Sequence, residues 1–476
     1  MTEPLDRDAT GQAEAIGRGE LTARELVAAA IARIEALDGA YNAVVTPLFD
    51  EALAAAGSAD GPWGGVPMLV KDLIARVGGA RQTEGSRALA GQVAAGDSEL
   101  VARFRAAGLT ILGKTNTSEF GATPVTEGRL FGPTRNPWDT TRTAGGSSGG
   151  SAVAVATGMV AVAHGNDGGG SLRIPASCCG VFGFKPSRGR NPFGPEYADL
   201  HARIVCEHVI TRSVRDSAAL LDATAGPLPG SPYVAPPPPR PFAEELGSDP
   251  RRLRIAASWR PIFDVEVDGE VRAAYEDTAR LCEELGHEVV EARPALDESE
   301  LMEAWFALWA EGNAWMVEEA ARIAGVEPSE EQYEAMTWRY YTRARADSAI
   351  AHQRLLQALN RGALTLGRFL DGFDAWLTPT LAQPPLELGG FYDVEDTIQR
   401  YLRFAPYTRL ANLAGLPAMS VPLHAAASGL PIGSHLAASF GDESTLFALA
   451  GQLEQARPWA GRRPPEPKEQ TRARSH

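Results

Sequence analysis

Lysine is nearly missing from this chain. Of 45 basic residues among 476, four are lysines: Lys71, Lys114, Lys185 and Lys468. Arginine keeps its proton in proteins, whereas a buried lysine can lose its own, so the lysines in the body of the chain are the first candidates for a base. A surplus of positive charge is missing too. The formal net charge is −15, which argues against nucleic acid and anionic membranes as partners, since both need a basic surface. Cysteine is scarce: Cys178, Cys179, Cys206 and Cys282, two of them adjacent and none at zinc-ligand spacing. They read as small buried residues in a reducing compartment. The first twenty residues lack a basic segment and an apolar core, so they do not read as a secretory signal. No apolar run is long enough to span a bilayer. These absences predict a cytoplasmic protein with no membrane partner.

What is present is ordinary for a globular chain, with 44% hydrophobic and 22% charged residues. Thr22 and Glu25 form a capping box. Val27, Ile31, Ile34 and Leu37 follow at helical spacing, and Gly39 closes that helix. Residues 65–73 read as a buried strand ending at Lys71 and Asp72, 98–108 as a helix, and 109–113 as a strand. Eight prolines in 227–241 mark a surface loop or linker. Beyond it lie a strand at 252–258, a helix at 269–285, a strand at 287–292 and a late strand at 373–380. Alternating strands and helices predict an α/β protein. Residues 299–360 read as helical and hold four of the nine tryptophans, Trp305, Trp309, Trp315 and Trp338, with Tyr333, Tyr340 and Tyr341. They suit helix packing or an apolar wall over a substrate pocket. The tail at 462–476 has a disordered composition.

Three motifs stand out. Gly108 to Thr115 matches the Walker A pattern letter for letter. Its variable positions are Leu, Thr, Ile and Leu, which read as the strand itself and not as a phosphate loop after one, and no apolar helix follows. Residues 145–151, Gly-Gly-Ser-Ser-Gly-Gly-Ser, hold the nucleophile-elbow spacing about both Ser147 and Ser148. The residues before them are not a buried strand, although His424 and His435 leave a triad open by count. Residues 165–175 place three glycines directly before Ser171. This is either a glycine-rich turn or a nucleophile beside amides able to hold an oxyanion.

Together the last two motifs resemble the signature of the amidase signature hydrolases: Gly145 to Gly150, then Asp167 to Ala176, then Cys179 to Pro186. Residues 65–72, 111–121, 412–422 and 429–433 are similar to further family segments, so the likeness spans roughly 10–460. The resemblance implies an amidase signature fold, a mixed twisted sheet with helices on both faces. It implies a single domain over 1–461, with a catalytic core near 60–220, a C-terminal core near 370–455 and 299–360 as a helical flap. It assigns Lys71 as base, Ser147 as relay after a cis peptide bond, Ser171 as nucleophile, and Gly168, Gly169 and Gly170 to the oxyanion hole. Asp167, Arg173 and Lys185 then read as structural, and His164 as no part of the catalytic set. His435 stands where many relatives carry glutamine.

The implied reaction is hydrolysis of an amide or carbamate through an acyl-enzyme, with no metal and no organic cofactor. Residues 167–190 are most similar to the bacterial branch with 6-aminohexanoate cyclic-dimer hydrolases, aryl acylamidases and urethanases. That branch implies a small, apolar or aryl substrate, and a homodimer is compatible with it. Two rivals are a glutaminase subunit of a tRNA-dependent amidotransferase, which would need partner subunits, and a nucleotide-binding protein using Lys114.

Overall fold

A computed structural model describes residues 4–58, 60–201, 204–247, 251–392 and 397–467. Eleven strands form one sheet: β1 (Val44–Pro47), β2 (Pro67–Lys71), β3 (Thr110–Thr115), β6 (Val162–Asp167), β7 (Phe182–Lys185), β8 (Cys206–Thr211), β9 (Arg254–Ala257), β10 (Glu288–Glu291), β11 (Ala375–Pro379), β12 (Ala418–Ala425) and β13 (Pro431–Ala437). A small hairpin of β4 (Glu127–Gly128) and β5 (Gly132–Pro133) stands apart. The spatial order is β1-β3-β2-β6-β8-β7-β12-β13-β11-β9-β10. The sheet is mixed. β2 runs parallel to β3 and β6, and β9 runs parallel to β10 and β11, while the middle is antiparallel. This is the α/β architecture read from the sequence.

Every residue of β2, β3, β6, β7, β8 and β11 is buried. Strands covered on both faces lose the polar side of their alternation, and β2 and β11 accordingly read as mainly apolar runs. Alternation still sorts the core. Met68 and Val70 of β2 join one apolar cluster with Trp63 and Phe104, while Leu69 joins another with the helix Gly149–Ala156. That helix has no exposed residue, so its small side chains (Ala, Val, Ser, Gly) suit burial against the sheet.

The capping box closes as read. Thr22 Oγ1 accepts from Glu25 N at 3.1 Å and Glu25 Oε2 accepts from Thr22 N at 2.7 Å. Gly39 does not end that helix. It runs from Ala23 to Tyr41, and Asn42 takes the left-handed position at φ 56°. Asn42 fits because its side chain donates to Phe131 O and Pro133 O, while the Asp38 carboxylate accepts from Ala43 and Val44 N. The last six Walker letters, Thr110 to Thr115, form β3: Lys114 is fully buried, donating to Ala75 O at 2.7 Å and to Gln82 Oε1. Residues 299–360 fall within three helices and their links, Glu298–Ala324, Ala335–Ala344 and Ala349–Leu370. The proline-rich stretch has neither helix nor strand. Of the tail, 462–467 is irregular and 468–476 lies outside the described residues. Among the described residues, no helix is long and apolar enough to cross a membrane.

Candidate active site

β2 and β6 are parallel neighbours, so their C-terminal ends open on the same edge of the sheet. In α/β sheets that edge is where ligand crevices form. Lys71 ends β2 with its side chain fully buried. Its Nζ donates to Ser147 Oγ at 2.7 Å and to Asn166 Oδ1 at 2.6 Å. Burial holds the amine well below the usual lysine range, against the opposing pull of Asp167, Glu207 and Glu84. Lys114 and Lys185 are also fully buried, and Lys185 Nζ donates to Pro186 O at 2.8 Å.

Ser147 lies just before the helix Gly149–Ala156, and the Gly146–Ser147 peptide is cis. The stretch before it contains no β-strand from 134 to 148, unlike the lead-in to a nucleophile elbow. Thr126 Oγ1 braces this turn. It donates to Gly145 O at 2.9 Å and accepts from Gly149 N at 3.1 Å.

Asp167 ends β6 and organises the glycine turn. Its carboxylate accepts from Gly170 N at 2.8 Å, Leu172 N at 3.1 Å and Asn412 Nδ2 at 2.8 Å. Arg173 pairs with it through two bonds of 2.9 Å, both groups being fully buried. Burial alone would raise the Asp167 carboxyl, but Arg173 outweighs it and holds the group well below its ordinary value. The Gly170 N–H is thereby given to Asp167. The amides of Gly168, Gly169 and Ser171 donate to no acceptor among the described residues. Gly170 itself has φ +137°, and a Cβ there would lie 2.4 Å from Thr408 Oγ1.

The same pair explains His435. Arg173 Nη1 contacts His435 Nε2 at 2.9 Å, and His435 Nδ1 contacts Thr378 Oγ1 at 3.1 Å. Burial keeps the ring far below the ordinary histidine range, so it is neutral. An arginine can only donate, so Nε2 accepts and the proton sits on Nδ1, facing Thr378. One acceptor and one donor are what a glutamine amide would offer there. His164 is buried with Nε2 3.2 Å from Glu207 Oε1, and it makes no bond to either serine.

Ser147 and Ser171 line one cavity of about 360 Å³, with Asn166 and Gly168 beside them. Leu73, Phe120, Leu200, Val205, Trp309 and Met316 make its walls mostly apolar. His201 also lines it, and burial lowers the group to about 4 against the opposing effect of the Gly312 backbone. Phe120 and Met316 separate this cavity from a wider chamber of about 700 Å³ that holds Arg76, Glu84, Tyr197 and Glu319.

The tryptophans divide. Trp305 and Trp309 stack at 5.1 Å with an interplanar angle of 11° and press on the glycine turn. A Cβ on Gly168 would meet Trp309 at 2.9 Å, and one on Gly169 would meet Trp305 at 3.0 Å. Trp338 packs with Tyr333 and Tyr341 in a separate cluster, and Trp315 is 44% exposed. Asn166, His201, Thr408 and Asn412 escape a reading of roles from sequence. Asn166 and Asn412 sit inside recognised motifs, but nothing in the letters says what they touch.

Replacing Asp167 by asparagine would leave the Arg173 charge buried without its counter-charge. Loss of such a partner costs about 3–5 kcal/mol. Chemical denaturation of Asp167→Asn at neutral pH should show a loss of that size, and a change under about 1 kcal/mol would refute the structural role.

A mixed α/β fold with a buried lysine bonded to one of two serines at a cavity fits a hydrolase of amide bonds. The chain belongs to the amidase family, whose model, described as Amidase, matches residues 25–447. It is 38% identical to a 6-aminohexanoate-cyclic-dimer hydrolase of Pseudomonas sp. (strain NK87), over 97% of each chain. A solved structure of 6-aminohexanoate cyclic dimer hydrolase complexed with substrate superposes with a TM-score of 0.92 at 36% identity, covering 97% of this chain and 99% of that one. A bacterial aryl acylamidase of the amidase signature family gives a TM-score of 0.87 at 29% identity, covering 96% and 99%.

Proposed function

We propose that this protein hydrolyses the amide or carbamate bond of a small apolar or aryl compound through an acyl-enzyme on Ser171. The observation that carries the reading is the buried contact of 2.7 Å between Lys71 Nζ and Ser147 Oγ, at a cavity that Ser171 also lines. An amide is a poor electrophile, so the attacking hydroxyl needs a base. Ser171 Oγ attacks the carbonyl carbon. Its proton passes to Ser147 Oγ as the Ser147 proton passes to Lys71 Nζ. The oxyanion is held by the free amides of Gly168, Gly169 and Ser171. The proton returns through Ser147 to the nitrogen, the C–N bond breaks and the amine leaves. Water then attacks the acyl ester by the same relay and releases the acid, or the carbamic acid.

The apolar walls support an apolar or aryl group beside the reacting bond. The relatives that act on 6-aminohexanoate cyclic dimer or aryl acylamides support the same class. The helical region 299–360 acts as a flap, with Trp309 and Met316 lining the cavity. The test is amine release from matched p-nitroanilide, p-nitrophenylcarbamate and 6-aminohexanoate cyclic dimer. Turnover of any of them supports the reading, and their ranking sets the substrate class. No turnover of all three would overturn this substrate class.

The base must be neutral to act, and burial lowers the Lys71 amine. Protonation removes its lone pair, so activity should be lost as pH falls through the folded-state value. The acid limb of kcat/KM should therefore lie well below the usual lysine range, near 10.4. A limb at that ordinary value would exclude Lys71 as a desolvated base.

A further inference from the structure

Lys71 Nζ has two hydrogen-bond partners, and only one of them belongs to the proposed relay. The other is Asn166, which lines the same cavity. Its amide cannot turn over freely. Nδ2 donates to Leu73 O at 3.0 Å, which fixes Oδ1 towards the lysine at 2.6 Å. An amide oxygen only accepts. Whatever the charge of Lys71, one N–H must therefore point at Asn166. From this geometry we propose that Asn166 is a positioning residue that sets the rotation of the Lys71 amine and aims its lone pair at Ser147. This rests on the reading of Lys71 as the base.

A neutral amine has two N–H groups and one lone pair in a tetrahedral arrangement. Pinning one N–H on Asn166 Oδ1 leaves the remaining positions for Ser147, 2.7 Å away. Without the pin, rotation about Cε–Nζ would spread the lone pair over directions that do not meet the hydroxyl. The partner's lack of charge matters equally. The charged groups facing this amine are Asp167 on β6, Glu207 on β8 and Glu84 in the loop after β2, with His164 on β6 and Lys114 on β3 in the same buried cluster. Asp167 is paired with Arg173, and Glu84 is bonded by Ile74 N at 2.9 Å and Gln82 Nε2 at 2.8 Å. Glu207 is raised by burial to about 8. A carboxylate in the place of Asn166 would touch the amine directly and favour its protonated form. An amide supplies the same acceptor without that charge.

The test is the pH profile of kcat/KM for Asn166→Asp and Asn166→Ala beside the wild type, with Lys71→Ala as a control. Asn166→Asp keeps the shape and adds a negative charge. Its acid limb should move up by about 1–3 pH units, as expected for an opposite charge in contact. Below that shifted limb its kcat/KM should fall by about tenfold for each pH unit of the shift, and it should recover at high pH. Asn166→Ala removes a hydrogen bond that favours the charged amine, so its limb should move down. Its plateau should also fall, through kcat more than KM. A merely structural lesion lowers the plateau without moving the limb in opposite directions. If both limbs stay at the wild-type pH, Asn166 does not act on the lysine. If one variant fails to fold, the other still decides, since each predicts a shift of a different sign. Substantial activity in Lys71→Ala would instead remove the base itself, a separate failure.

Discussion

Ser171→Ala should lower kcat by about 10⁴–10⁶ while leaving substrate binding within a few-fold. The size follows from the role proposed for the hydroxyl. Without it no acyl ester forms, and neither the free amides of the glycine turn nor the apolar walls can substitute for a nucleophile. The residual rate is the part that binding and oxyanion stabilisation supply alone. Single-turnover kinetics with a p-nitroanilide, paired with calorimetric binding of the same compound, separate the two effects. Residual activity above about a hundredth of wild type would place the nucleophile elsewhere. Loss of binding in step with kcat would mean that the substitution has disturbed the cavity.

Lys71→Met should also remove activity, by about 10²–10⁴ or more in kcat, because nothing else beside Ser147 can take a proton. The same variant should be more stable than the wild type at neutral pH. The folded-state value of the amine is depressed by burial, whereas the unfolded chain carries it protonated at pH 7. Folding must then expel a proton, and that cost grows as pH falls below the unfolded value near 10.4. A methionine of similar length has no such cost. Each pH unit of depression is worth about 1.4 kcal/mol, so denaturant melts at neutral pH should show a gain in stability. The gain should shrink as pH rises towards 10. A variant that is both inactive and less stable at every pH would show that Lys71 holds the fold and is not a strained base. Lys71→Arg separates size from chemistry, because a guanidinium keeps its charge in this setting.

The residues proposed for the chemistry are legible through the family motifs, because glycine and serine at fixed spacing are few-solution signals. Ser147 and Ser171 line one cavity, and Lys71 reaches it through its contact with Ser147. β2, β3, β9, β10 and β11 are legible as strands, but β6 and β8 carry too many polar residues to read as apolar runs, and the order of the sheet is not legible. β2 pairs with β6 across more than 90 residues, and no local pattern encodes that. Gly39 illustrates the limit of propensity. Glycine is the usual helix stop, yet Asn42 ends the helix because Asp38, Phe131 and Pro133 reward it with hydrogen bonds. Gly170 illustrates another. Its place in a run of glycines suggests a free amide, and only the fold shows Asp167 receiving it. Trp305 and Trp309 are visible as an aromatic cluster, but their contact with glycines more than 130 residues earlier is a tertiary fact.

The scarcity of lysine acquires a second meaning once its members are placed. Lys71, Lys114 and Lys185 are all sealed from solvent, so the described surface offers reagents no side-chain amine. The remaining lysine, Lys468, lies outside the described residues. An activated ester meeting this protein should label it sparsely, sparing the faces around the cavity.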